Sequence, residues 1–92
     1  MKPLAVITLS DLGTRQALRL IESLGDADLY VHKIVSAAFP GTRFDAVQKL
    51  TRRIFHRYKG LIYILPCGVA VRAINGLLQR KKNLVLVAFV NN

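Results

Sequence analysis

The sequence predicts an α/β fold: a doubly wound, flavodoxin-like parallel sheet of four strands in the order 2-1-3-4, with three helices. Three observations lead there. The strand-forming runs are apolar throughout instead of alternating, as strands buried on both faces are. Amphipathic helical segments separate them, giving the order β-α-β-α-β-α-β. Right-handed crossovers then leave few topologies, and the doubly wound one suits an order that reverses beside the first strand.

The first strand is Leu4-Ala5-Val6-Ile7-Thr8-Leu9. Ser10-Asp11-Leu12-Gly13-Thr14 follows and offers several helix N-cap residues. Ala17, Leu18, Ile21 and Leu24 then recur at helical spacing, with Arg15, Arg19 and Glu22 outward, until Gly25 stops the helix. Asp28 to Val31 reads as a short second strand, and Ile34 to Arg43, containing Pro40-Gly41, as a connecting loop. Asp45 is the expected N-cap of a second helix whose apolar stripe is Val47, Leu50, Ile54 and Tyr58, ended by Gly60. Leu61 to Leu65 is the third strand, Pro66-Cys67-Gly68 a turn, and Ala70, Ala73, Ile74 and Leu77 the inward stripe of a third helix. Arg80-Lys81-Lys82 puts positive charge where that helix ends, and Leu84 to Val90 is the fourth strand. The first helix is expected on one face of the sheet and the other two on the opposite face.

A chain of 92 residues makes one domain, 1–92. Its single cysteine, Cys67, rules out an intrachain disulfide and fits a reducing, cytoplasmic setting. No signal peptide is legible, and the longest apolar stretch, Leu61 to Val71, is too short to span a bilayer, so no membrane partner is expected. Fourteen Lys and Arg against five Asp and Glu give a net charge of +9, which favours polyanionic partners. The apolar, uncharged strand Leu84 to Val90 falls at the sheet edge, where it invites pairing with another chain or a downstream segment.

Ligands of such sheets bind beyond the carboxyl ends of the strands, where the strand order reverses. The loops expected there are Ser10 to Thr14 and Pro66 to Gly68, both leading into helix N-termini that favour anions. The candidate ligand-binding residues are therefore Ser10, Asp11, Gly13, Pro66, Cys67, Gly68 and Arg72. Gly68 lets a ligand approach the backbone, and Arg72, one turn into the third helix, offers a fork to a carboxylate. The plainer alternative is a tight turn followed by a solvated arginine. Cys67 has no base beside it in sequence and reads as a turn residue. His32, at a strand end, is either a general base or a surface histidine. No metal-ligand spacing occurs, and no catalytic residue is named. The exposed face of the second helix, with Lys49, Arg52, Arg53, Arg57 and nearby Lys59, is either a phosphate-binding surface or a solvated one.

The run Gly60-Leu61-Ile62-Tyr63-Ile64-Leu65-Pro66-Cys67-Gly68-Val69-Ala70-Val71-Arg72-Ala73-Ile74 resembles the N-terminal domain of the CbiG family, the cobalt-precorrin-5A hydrolases of anaerobic cobalamin biosynthesis. Its specific part is the G-V-A-V-R-A-I segment. Leu4 to Leu24, Leu29-Tyr30-Val31 and Phe44 to Tyr58 agree in outline. Asn75-Gly76 stands where the family has Ala-Pro, and the family's D-P-A-V-V-V-V-D-E continuation after Lys82 is absent, as are its downstream segment and C-terminal domain. The resemblance implies a tetrapyrrole partner: an anionic cobalt-corrinoid precursor, on which the family opens a lactone and releases acetaldehyde. The cobalt belongs to that substrate, and no cofactor of the protein is implied. Two readings from other classes stand beside it. One is a basic nucleic-acid or nucleotide-binding module; the other is a structural domain that dimerises through Leu84 to Val90.

Overall fold

The computed structural model describes residues 2–65 and the backbone of the strand Leu86–Val90. The described strands are β1 (Leu4–Thr8), β2 (Ala27–His32), β3 (Thr42–Phe44), β4 (Gly60–Ile64) and β5 (Leu86–Val90). The described helices are α1 (Asp11–Leu24) and α2 (Val47–Ile54). The strands form one parallel sheet in the order β3-β2-β1-β4-β5. This is an α/β architecture. Apart from β3, the order is the one expected, with β4 and β5 standing as the predicted third and fourth strands. The predicted third helix, with Pro66, Cys67, Gly68 and Arg72, lies outside the described residues.

Parity along β1 divides the core into two layers. Ala5 and Ile7 join Leu61, Tyr63 and Leu65 under Val47, Leu50 and Ile54 of α2. Val6 joins Ile64 and Ala27 under Ala17 of α1, with Leu20 and Ile21 packed at the margin. Alternate residues of a strand point to opposite faces, so α1 and α2 cover opposite sides of the sheet. Continuous apolar runs in β1 and β4 are the sequence trace of that double cover. Gly25 ends α1 as expected: it takes φ 83° and donates its N–H to the Ile21 carbonyl at 2.7 Å.

Three expectations are corrected. The segment read as a loop to Arg43 closes into the edge strand β3, parallel to β2, with Tyr30 opposite Thr42 and His32 opposite Phe44. Gly41 permits this approach. Its φ is +120°, and a Cβ there would sit 2.7 Å from Val31 Cγ2. Asp45 is not the cap of α2. Ala46 holds that position and offers no side-chain acceptor, while the Asp45 carboxylate pairs with Lys33 at 3.3 Å. Gly60 does not end α2; it opens β4. The helix ends at Ile54, with Phe55 as its C-cap, and a tighter turn follows, the Arg57 N–H donating to the Ile54 carbonyl at 2.9 Å. That turn still delivers Tyr58 to the core.

Candidate functional site at the carboxyl edge of the sheet

β1 runs between β2 and β4, with Thr8 opposite Val31 on one side and Ile64 on the other. The carboxyl ends of β1 and β4 thus lie side by side, and the chain leaves them at Leu9-Ser10 and at Leu65. In a doubly wound sheet, such a place is where crossovers diverge and a crevice forms.

The start of α1 is built from hydroxyls. Ser10 has extended backbone angles (φ −140°, ψ 162°), and its Oγ accepts the Gly13 N–H at 2.9 Å. Its carbonyl accepts both the Thr14 N–H at 2.9 Å and the Thr14 hydroxyl at 2.7 Å. The Thr14 proton being spent there, Thr8 donates its own hydroxyl to Thr14 Oγ1 at 2.8 Å. Thr8 and Thr14 are fully buried, so the chain of hydroxyls locks β1 to α1 beneath the surface. Asp11, exposed in the first turn, suits the positive end of α1, and its Oδ1 accepts the Ser36 N–H at 3.0 Å. Ser10, Asp11 and Gly13 are therefore brought together, with polar atoms already engaged in the fold. Pro66, Cys67, Gly68 and Arg72 lie outside the described residues.

His32 does not face that crevice as a free base. Its Nδ1 accepts the Ile34 N–H at 3.1 Å, which puts the proton on Nε2, and Nε2 donates to the Asp45 carbonyl at 2.7 Å. The ring also meets Phe44 edge-to-face at 5.3 Å between centroids. It is a clip between the ends of β2 and β3.

Arg43 is the residue that sequence reasoning passed over. Its Nη1 donates to the carbonyls of His32 (3.2 Å) and Val35 (2.7 Å), and its Nη2 to those of Ser36 (2.8 Å) and Phe39 (2.9 Å). One planar fork thereby organises the whole connection from β2 to β3. The available signal was an arginine two residues after a Pro-Gly pair, which is weak on its own.

At the other edge of the sheet, Tyr58 donates its hydroxyl to Asp28 Oδ2 at 2.6 Å and accepts from Tyr30 at 2.8 Å. Burial, together with the hydrogen bond to the Asp28 carboxylate, raises the Tyr58 pKa far above the ordinary phenol value. Burial pushes Tyr63 up to about 12, with its bond to Thr51 Oγ1 (2.8 Å) acting the other way. These networks are structural: the first joins Asp28, near the amino end of β2, to the turn after α2, and the second joins Tyr63 to Thr51 in the core under α2. Among the described residues, no three His, Cys, Asp or Glu side chains gather to hold a metal, and no helix is long and apolar enough to cross a membrane.

No family model matches the chain, and no curated protein or solved structure matches it.

Proposed function

We propose that this chain binds an anionic cobalt-corrinoid precursor of cobalamin biosynthesis, as the N-terminal part of a cobalt-precorrin-5A hydrolase. One observation carries the reading. The segment Gly68-Val69-Ala70-Val71-Arg72-Ala73-Ile74, which resembles the CbiG family, follows β4 in sequence after Leu65-Pro66-Cys67, and β4 pairs with β1. The flavodoxin-like completion of the sheet, with a third helix after Gly68, is part of the same proposal.

The chemistry suits such a place. Lactone hydrolysis adds water to the carbonyl carbon, breaks the ring C–O bond and sends a proton to the departing oxygen. The carbonyl oxygen carries negative charge in between, and backbone N–H groups at a helix start are suited to hold it. A corrinoid precursor carries many carboxylates, and a chain of net charge +9 attracts them. Arg72 is assigned to one of those carboxylates as a bidentate partner. Cobalt remains part of the substrate.

A cobalt tetrapyrrole with peripheral carboxylates tests the reading by visible absorbance. Saturable binding that weakens on Arg72→Ala is expected; unchanged affinity in the variant sinks the Arg72 assignment. A second reading rests on the exposed Lys49, Arg52, Arg53 and Arg57 along and just beyond α2. Such a ridge suits a nucleic-acid backbone. A short RNA titrated at two salt concentrations separates the two: steep salt dependence with RNA, and no tetrapyrrole binding, favours the ridge.

A further inference from the structure

We propose that the groove where β3 runs into α2 is a binding site for a small multivalent anion bearing carboxylate or phosphate groups. The inference does not rest on the corrinoid reading. The groove has a volume of about 220 Å³ and is walled by Lys33, Arg43, Lys49 and Arg53 over Phe44, with Asp45 the single acidic side chain in its lining.

Three independent features point to an anion. First, Arg43 spends its hydrogen bonds on four neutral carbonyl oxygens, so no carboxylate cancels its charge. It is a fixed positive wall, positioned by the fold. Second, the first turn of α2 carries Lys49 and no acidic residue, against the preference of the helix dipole. Arg53 lies one turn on, a like-charge spacing that costs a few tenths of a kcal/mol in a helix. Among the described residues neither side chain meets a carboxylate, and no Asp or Glu follows Asp45 anywhere in the sequence. A bound anion offsets what the isolated fold leaves unfavourable. Third, Ala46 supplies no capping side chain, so no side chain of the cap residue competes for the N–H groups at the head of α2.

Asp45 is the built-in competitor. Its carboxylate holds Lys33 at 3.3 Å, and both side chains are largely exposed, at 79% and 62%. An incoming anion takes the Lys33 ammonium and releases Asp45 to solvent. The groove lies at the same carboxyl edge as the crevice between β1 and β4, two strand spacings or roughly 10 Å from β1. Two sources of the anion follow: a free phosphate compound, or the carboxylate arm of a larger ligand seated at that crevice.

Pyrophosphate and tricarballylate are the probes, titrated by calorimetry and by amide chemical shifts at low and moderate salt. Saturable one-to-one binding with shifts at Lys33, Lys49 and Arg53 is expected. Preference for pyrophosphate identifies the phosphate source, and preference for tricarballylate the carboxylate arm; both support the site. K49Q/R53Q is expected to bind about tenfold more weakly or worse, the scale of losing a charge-assisted hydrogen bond. Its thermal midpoint is expected to stay near that of the parent, because relief of the like-charge pair offsets the loss of Arg53 from the last turn, where the dipole favours a cation. R15Q/R19Q, which removes the same charge from the exposed face of α1, leaves binding within about twofold, because salt screens distant surface charge. D45N tightens binding, a gain that misfolding cannot produce. The absence of saturation, an equal loss in R15Q/R19Q, or no gain in D45N overturns the proposal.

Discussion

Two strand-to-helix junctions lie at the same edge of this sheet and solve the same problem in opposite ways. Where β1 enters α1, the chain satisfies itself. Ser10 Oγ takes the Gly13 N–H, the Ser10 carbonyl takes two protons from Thr14, and Thr8 completes the series in the core. Where β3 enters α2, Ala46 provides no cap, and cations gather instead of hydroxyls. A closed junction contributes stability, about 1 kcal/mol for a serine cap alone. An open one forgoes that contribution and leaves Lys49 exposed in a first turn that has no acidic residue. The contrast separates a part of the edge that holds the fold from a part free to hold something else.

The comparison breaks most visibly at Gly41. Gly41→Ala forces a Cβ to 2.7 Å from Val31 Cγ2 at a φ of +120°. Strain and overpacking together destabilise the domain by about 3 kcal/mol in urea unfolding. The connection held by Arg43 shifts with it, so the open junction loses its wall while the closed one persists. Next in size is Thr14→Val, which leaves the buried Thr8 hydroxyl without its acceptor and costs about 2 kcal/mol. Adding Thr8→Val recovers part of the loss, since no orphan hydroxyl remains; a fully additive double variant shows that the two hydroxyls are not coupled.

The caps sharpen the contrast directly. Ser10→Ala lowers stability by about 1 kcal/mol, and Ala46→Ser raises it by a similar amount. A neutral Ala46→Ser result would mean that the head of α2 is already satisfied, which removes the difference between the junctions. The smallest effect at neutral pH belongs to the tyrosines. Tyr63 ionises near pH 12 in the fold against 10 ordinarily, so the folded state holds this proton more tightly. Its contribution is complete below pH 10 and is lost as pH rises through 12. Alkaline unfolding followed by circular dichroism should begin above pH 10 and be less steep in Tyr63→Phe.

Most of the sheet was legible because burial on both faces leaves a plain mark. Leu4–Thr8 and Gly60–Ile64 carry almost no polar residue, and their neighbours in space follow from the handedness of crossovers. β3 was not legible. Three residues with an arginine at their centre, Thr42-Arg43-Phe44, have no strand signature; what makes them a strand is Gly41 closing on Val31 and a guanidinium gathering four carbonyls. The end of α2 was misplaced because Tyr58 keeps the helical spacing of buried residues after the helix has become a turn. Asp45 has the chemistry of a cap and lies one residue too early, drawn to Lys33. Of the candidate ligand-binding residues, Ser10, Asp11 and Gly13 lie together at the start of α1, where Ser10 serves as the N-cap. The groove was invisible because Lys33 reaches it from a different connection than Asp45, Lys49 and Arg53 do, and only the third dimension joins them.

The tyrosine network gives the molecule an optical signature. The sequence has no tryptophan and three tyrosines, so its near-ultraviolet emission comes from Tyr30, Tyr58 and Tyr63. Tyr58 donates to a carboxylate and is in contact with Tyr30, an arrangement that drains the excited state of a phenol by proton transfer to Asp28. Tyr58 emission is therefore expected to be quenched in the native fold and to rise when strand β2 separates from the turn after α2, while Tyr63, bonded to Thr51, escapes this route. Asp28→Asn, whose amide oxygen can still accept from Tyr58 but is a much weaker base, is the variant expected to restore that emission, which makes this pair of strand and turn its own reporter.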